Sequence, residues 1–580
     1  MYGFLFILLS FVGINLTSFP QTVSASTLNF VPCYQDYQCA RLEVPLDWSA
    51  SPIPNDANDT AILAIIKLSA QVDPTDERYG GSIIINPGGP GDSGVQDLLV
   101  RGKEVQKIID SPNDAHQARF FDIVSFDPRG VGNTHPPLTC FPDLLSSYLW
   151  DEAVQAEGLV DSSDRAGDHL WSRMQALGTA CTDSHKQGAD IGPYMNTWST
   201  AHDLRHLTQL LRPDSHRDTK LQYWGYSYGT LLSMTYASLF PDQVQRMVLD
   251  GVVDAPGWYL SDLSTSFRDA DRVVDSFFHY CHQIGYPTCA FASHPAPVDE
   301  TNTQATTHLK QRLTNILTDL KTTPLSTGYP SPEIITYSDV KRLLKVALYA
   351  PIDLFPILAT ILSDLEQGSA TSMAEWKSML RNEMQPPHCL HPECQSQPAC
   401  RESCQYIFRI EVTAGIACLD LNQKLLNVAK ETYWEEYLRP VVQSTHWVGD
   451  AFADFAMPCA SWEGRGPGSF DDNGPIGAES MSTPILFVSN SLDPVTPLAD
   501  AHAMSALFNG SVVLEQLAEG HCSFASRSIC TENHIRKYFQ TGTLPTPGTQ
   551  CETDVHPLGV EETPIRADFS WVRGEERTEL

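Results

Sequence analysis

Short β-branched runs that stop at glycine or proline recur in two separate blocks of the chain. In the first block they are Ser82–Asn86, Phe121–Phe126, Leu221–Gly225 and Arg246–Asp250. Continuous apolar runs of this length predict strands buried on both faces. Tyr228 to Leu239 is rich in apolar and small residues and is closed by Phe240-Pro241, which predicts a helix. In the C-terminal block, Pro484–Ser489 and Ser511–Gln516 read as strands, with a helix over Ala499–Leu507 between them. This alternation predicts βαβ units and a mostly parallel sheet.

The stretch from 256 to 470 has a different pattern. It carries helical segments such as Val340–Leu348 and Leu354–Leu365, Pro-rich breaks and a cysteine cluster. It reads as a mainly helical cap inserted over the C-terminal edge of the sheet. The predicted layout is a leader over 1–25, a first core part over 26–255, the cap over 256–470, and a second core part over 471–580. A chain of 580 residues is too long for one simple hydrophobic core, which agrees with two units.

Composition narrows the function classes. The formal net charge is -32, and such a surface repels phosphate backbones and anionic lipid, which argues against a nucleic-acid partner. Phe4–Val12 is an apolar run and Val23-Ser24-Ala25 a small-residue cleavage pattern, so a signal peptide cut after Ala25 is expected. Asn15 and Ser18 interrupt a segment already short for a bilayer, and no later stretch is apolar enough to span one. Fifteen cysteines fit an exported, disulfide-bearing protein. Cys33 with Cys39 and Cys281 with Cys289 read as short-loop pairs. Cys389, Cys394, Cys400 and Cys404 read as two local disulfides, since their spacing matches no zinc finger. An odd count leaves at least one thiol without an intramolecular partner. Sequons at Asn58 and Asn509 are compatible with glycosylation.

The candidate chemistry sits at strand ends. Gly225-Tyr226-Ser227-Tyr228-Gly229 falls between a predicted strand and a predicted helix, the setting of a nucleophile elbow. Ser227 needs a base and the base needs an orienting acid. His521 follows the last predicted strand, and Asp493 lies 28 positions before it, after the preceding strand. The order Ser, Asp, His is that of α/β-hydrolases. Asp250 is the rival acid, at the end of the strand after the elbow helix. Asn86-Pro87-Gly88-Gly89-Pro90-Gly91 follows the first strand, and glycines there leave backbone N–H groups free for an oxyanion. Gly89 and Tyr228 are the expected donors. A phosphate loop is excluded because no Gly-Lys-Ser/Thr follows. Cys522 abuts His521 but reads as a small buried thiol rather than a nucleophile. No cofactor and no metal are expected.

Taken together, Pro87-Gly88-Gly89-Pro90-Gly91, Asp127-Pro128-Arg129-Gly130-Val131-Gly132, the Gly225–Thr230 elbow and Asp493-Pro494-Val495-Thr496-Pro497 resemble the tripeptidyl aminopeptidase branch of the prolyl aminopeptidase family. The resemblance extends from Cys39–Asp47 to Gly542–Cys551. It implies a secreted serine exopeptidase with an α/β-hydrolase core and a helical cap, acting on peptides. It also implies the pairs Cys418–Cys459, Cys140–Cys181 and Cys530–Cys551, leaving Cys522 as the odd thiol. Pro87 stands where many relatives carry His, and the Cys389–Cys404 insert has no counterpart in the family pattern. For an aminopeptidase, a cap carboxylate should hold the substrate's α-ammonium, and Glu411, Asp420 and Glu463 are candidates. The same triad also suits a small acyl substrate in an esterase, lactonase or non-peptide amidase, including one in a biosynthetic pathway. A non-catalytic binding protein on this scaffold carries little weight, since the triad residues are all present.

Overall fold

The structure is a computed structural model. It describes residues 19, 23–24, 27–50, 59–111, 118–186, 191–211, 220–292, 302–329, 332–384, 409–421, 425–464, 466–468 and 476–560. Eleven strands form one sheet. In chain order these are β1 (Val23–Ser24), β2 (Val31–Cys33), β3 (Tyr37–Pro45), β4 (Thr60–Leu68), β5 (Tyr79–Asn86), β6 (Phe120–Asp127), β7 (Leu221–Tyr226), β8 (Val244–Asp250), β11 (Leu486–Leu492), β12 (Val512–Glu519) and β13 (Gln550–Glu552). A separate hairpin pairs β9 (Leu325–Thr327) with β10 (Glu333–Ile335). The main order is β1-β3-β4-β6-β5-β7-β8-β11-β12-β13, with β2 beside β3. From β6 through β13 every neighbour pair is parallel, and β3, β4 and β6 pair antiparallel. This is the α/β-hydrolase arrangement that the strand and helix alternation predicts.

Alternate residues of the central strands bury opposite faces, which is why those strands read as mainly apolar runs rather than as alternating ones. Ile83, Ile85, Trp224, Val248 and Val488 face α1 (Gly94–Ile109) and the helix Ile529–Thr541. Ile84, Tyr223, Met247, Leu249 and Phe487 face the other way, onto α3 (Ala166–His185), α4 (Thr197–Leu210) and α5 (Tyr228–Leu239). The elbow helix has the bounds its sequence predicts. The N-terminal strands β2 to β4 have no counterpart in the sequence-based elements.

The region between β8 and β11 falls into two packing groups. Helices α7 (Ala270–Ile284), α8 (Asn302–Thr322), α9 (Tyr337–Ala347), α10 (Pro351–Glu366) and α11 (Thr371–Met384) share a core of their own around Phe277, Leu313, Leu344, Phe355 and Leu362. Leu492 and Val495, which flank Asp493, join that core, so the cap rests on the strand end that bears the acid. The later part, from Ile410 to Trp462, divides between the two: Val412, Ile416, Leu419, Met457 and Trp462 pack into the sheet's own core with α3 and its neighbours, whereas Trp447, Val448 and Phe452 join the helical group's core. It is stapled by Cys418–Cys459.

Four further disulfides are Cys33–Cys39, Cys140–Cys181, Cys281–Cys289 and Cys530–Cys551, and Cys522 is a buried free thiol. The Cys389–Cys404 cluster and the Asn58 sequon lie outside the described residues, whereas Asn509 is exposed. Most of the expected leader, 1–25, also lies outside them. Its described part includes β1, which pairs in parallel with Arg41 and Leu42. No described helix is long and apolar enough to cross a membrane.

Candidate active site

One residue separates β7 from α5, and that residue is Ser227. Its φ of 54° and ψ of -124° are a strained conformation for a side chain other than glycine. Main-chain bonds hold it there. Ser227 N–H donates to Asp250 O at 3.0 Å, Gly229 N–H to Pro87 O at 3.1 Å, and Thr230 N–H to Ser227 O at 2.8 Å. The Thr230 hydroxyl adds a bond to Ser227 O at 2.6 Å. The elbow glycines answer to space. A Cβ on Gly225 would stand 2.6 Å from Gly229 O, and one on Gly229 would stand 2.5 Å from Asn86 O.

The glycine turn after β5 lies across the serine. A Cβ on Gly88 would sit 2.7 Å from Ser227 Cβ and 3.1 Å from its Oγ. Gly89 has a φ of 104° and its own Cβ would meet Gly91 N at 2.8 Å. Tyr228 is the first residue of α5, where a helix N–H lacks an intrahelical acceptor. The helix Ile410–Asp420 closes the far side of the turn, with Thr413 Oγ1 donating to Pro90 O at 2.7 Å.

Asp493 and His521 are in contact. His521 Nδ1 lies 2.9 Å from Asp493 Oδ2 and 3.0 Å from Oδ1. Asp493 is fully buried and accepts from the backbone N–H groups of Val495 (3.0 Å), Thr496 (2.9 Å) and Cys522 (3.0 Å). These donors stabilise the charged carboxylate and fix its plane. An Nδ1–H donated to Asp493 leaves a lone pair on Nε2. Nε2 is buried and has no hydrogen-bond partner among the described residues, so Ser227 Oγ does not bond it here. The rival acid has a different task. Asp250 Oδ1 accepts from Ser523 N–H at 2.7 Å and Oδ2 from the Ser523 hydroxyl at 2.5 Å. Burial pushes its carboxyl up to about 6, against the pull of the Ser523 bonds and, more weakly, of the His521 charge.

The three cap carboxylates part company. Glu463 is exposed and paired with Lys186 at 2.8 Å. Asp420 is buried and filled by Thr197 N–H at 2.8 Å, the Thr197 hydroxyl and Trp258 Nε1–H at 3.2 Å, and burial pushes it up to about 7. Glu411 is fully buried with Oε1 taken by Arg409 at 2.6 Å, while Oε2 has no partner among the described residues. Burial, with the Glu411 charge second, pushes the nearby Asp151 up to about 7.

Other conspicuous motif residues serve the scaffold. Arg129 is buried and forks onto Asp203 at 2.6 and 2.8 Å, with further bonds to the Pro45 and Leu46 carbonyls. Asp127 accepts from Ser93, Val95 and Asn133. Thr496 was not singled out by sequence reasoning, yet its Oγ1 lies 3.1 Å from His521 Nδ1. A hydroxyl three residues after the acid, in the same turn, was the available signal.

The family profile described as "TAP-like protein" matches residues 444–551. The serine protease Hip1 of Mycobacterium tuberculosis is 26% identical over 517 residues, 88% of this chain and 87% of its own length. The tripeptidyl aminopeptidase of Streptomyces lividans is 33% identical over 242 residues, 41% of this chain and 40% of its own. Among solved structures, an acetylester hydrolase from Corynebacterium glutamicum superposes with a TM-score of 0.31 at 12% identity, covering 86% of this chain and 96% of that one.

Proposed function

We propose that this chain, a tripeptidyl-aminopeptidase-like member of the α/β-hydrolase superfamily, is a serine exopeptidase that releases short peptides or residues from free N-termini. The observation that carries the chemistry is the buried Asp493–His521 pair beside the strained Ser227. The peptide substrate class is supported by the relatives named serine protease and tripeptidyl aminopeptidase. The disulfides are consistent with an extracellular protein, and a cleaved leader ending near Ala25 completes that reading.

In this mechanism His521 Nε2 takes the Ser227 proton as Oγ attacks the scissile carbonyl. The N–H groups of Gly89 and Tyr228 hold the oxyanion. The tetrahedral species collapses as His521 returns the proton to the leaving amine, and water then hydrolyses the acyl-enzyme. Asp493 orients the ring and stabilises its charged form. Glu411 is the best-placed of the three candidate carboxylates for an α-ammonium, because one of its buried oxygens has no partner among the described residues and its helix closes over the glycine turn.

A fluorophosphonate probe should label Ser227, and Ser227→Ala should lower turnover by about 10⁴-fold or more. Peptide anilides with free N-termini should be cleaved and N-blocked ones spared. Hydrolysis of simple esters alone would overturn the peptidase reading while leaving the triad intact. Glu411→Gln should raise KM for free-amino substrates by about 10- to 100-fold, since it removes one buried charge partner.

A further inference from the structure

The loop that carries His521 is gripped from two sides. The core holds it through Gly520 N–H to Leu492 O at 2.9 Å, and through Asn490 Nδ2, which donates to Gly520 O at 2.8 Å and Cys522 O at 2.7 Å. The cap holds it as well. Tyr280 on α7 donates to Glu519 Oε1 at 2.9 Å. His521 N–H donates to Tyr349 O at 3.0 Å. Gly520 is flush with the start of α10, since a Cβ there would stand 2.7 Å from Pro351 Cδ and 3.0 Å from Tyr349 O. The Tyr349 ring itself stands edge-on to the imidazole, with centroids 5.2 Å apart and planes at 81°. Tyr349 is 7% exposed and belongs to the cap's own apolar core.

We propose that Tyr349 is a positioning residue through which the cap sets the orientation of the His521 ring. The proposal rests on the reading of His521 as the base for Ser227. The contacts from Nδ1 to Asp493 and Thr496 fix one end of the imidazole but leave its far end to tilt about them. An aromatic wall at 81° resists the tilt, because edge-to-face packing is lost when either ring turns. Nε2 makes no protein bond in this state, so no other hydrogen bond among the described residues steadies that end of the ring. Small errors in aim are costly, since a displacement of about 1 Å can lower a rate about 100-fold. The Tyr349 carbonyl that receives His521 N–H belongs to the backbone and survives any side-chain change. A substitution at this position therefore isolates the ring.

The test compares Tyr349→Ala, Tyr349→Phe and Tyr349→Leu in the full chain, with active sites titrated by a fluorophosphonate. Tyr349→Ala should lower kcat and the rate of probe labelling together by about 10- to 100-fold, with KM little changed. Tyr349→Phe should restore both, as it keeps the ring. Should the alanine variant fold poorly, Tyr349→Leu keeps most of the volume without the ring face and should show the same loss. The proposal is overturned if Ala and Leu variants match the parent in kcat per titrated site, or if only KM moves. Absence of labelling in the parent would instead defeat the Ser227–His521 reading itself, so the two failures are distinct.

Discussion

The site in the core and the polar interior of the cap solve the same problem by different means. Both bury charge. Around Asp493 the donors are main-chain amides of Val495, Thr496 and Cys522, and Ser227 is likewise fixed by backbone bonds to Asp250 and Thr230. In the cap, Asp450 is held by side chains: Lys341 at 3.0 Å and the Tyr337 hydroxyl at 2.7 Å. Lys345 donates to Ala451 O at 2.7 Å and is pushed down to about 8 by burial. Main-chain donors survive every substitution except proline, so the core geometry is robust and its damage reads out as rate. Side-chain partners can be deleted, so damage to the cap reads out as stability.

The largest expected effect is on the core side. Asp493→Asn should lower kcat by about 10⁴-fold, because an amide favours the wrong imidazole tautomer, while the melting temperature moves little. Asp250→Asn is the paired measurement. It should loosen the Ser523 loop and cost stability, with a far smaller loss of rate. If Asp250→Asn abolished activity in folded protein and Asp493→Asn did not, the assignment of the acid would be reversed. In the cap, Asp450→Ala strands a buried Lys341 and should cost about 3–5 kcal/mol in denaturant unfolding. Its kcat per titrated site should stay near that of the parent. Gly88→Ala comes next. It drives a methyl group to 2.7 Å from Ser227 Cβ and should lower kcat about 100-fold.

How much of this was legible in the sequence follows the same division. The central strands announced themselves because both faces are buried, so apolar residues dominate both faces despite polar positions such as Asp122, Ser125 and Gln222. The triad residues sit at strand ends, where glycine and proline punctuate the chain, and their order alone matched a known arrangement. The N-terminal strands were not all hidden for one reason: Tyr37–Pro45 carries Gln38, Arg41 and Glu43 among apolar residues, which blurs its periodicity, whereas Thr60–Leu68 holds the apolar run Ala61–Ile66 and was legible as a strand, though the predicted elements omit it. The cap read as one insertion, but residues 412–421 and 457–462 pack into the sheet's core while Trp447, Val448 and Phe452 stay with the cap, a division set by long-range packing. The choice between Glu411, Asp420 and Glu463 was likewise hidden. It depends on partners such as Thr197 and Lys186, more than 200 residues away in the chain.

Proton linkage gives a smaller and more graded test. Burial raises Asp420, Asp500 and Glu519 to about 7. In the unfolded chain such groups titrate near about 4, so between roughly pH 4 and 7 the folded state binds more protons. Stability should therefore fall as pH rises through that window and level off above it. Lys345 has the opposite sign. Its folded value of about 8 lies below the unfolded one, so its contribution should increase as pH rises from about 8 towards 10. Urea unfolding at pH 5, 7, 8 and 9.5 measures both limbs. Lys345→Met should flatten the upper limb alone, with slopes no steeper than about 1.4 kcal/mol per pH unit for one proton. A parent whose stability climbs steadily from pH 5 to 7 would show that the buried carboxyls are not holding protons.

The smallest expected effect separates a solvated charge from a functional one. Glu463 and Lys186 keep 55% and 60% of their side chains exposed at a separation of 2.8 Å. An exposed pair of this kind contributes little to stability, because water and salt screen it and two long side chains must be ordered to form it. Glu463→Gln should therefore leave unfolding free energy and KM for free-amino peptides nearly unchanged, and added salt should erase any residual difference. Glu411→Gln, measured beside it, should raise KM for the same substrates and leave N-blocked esters unaffected. The contrast is between one carboxylate open to water and one whose buried oxygen has no partner among the described residues. Equal KM values for the two variants would remove Glu411 from substrate recognition and leave it as a structural partner of Arg409.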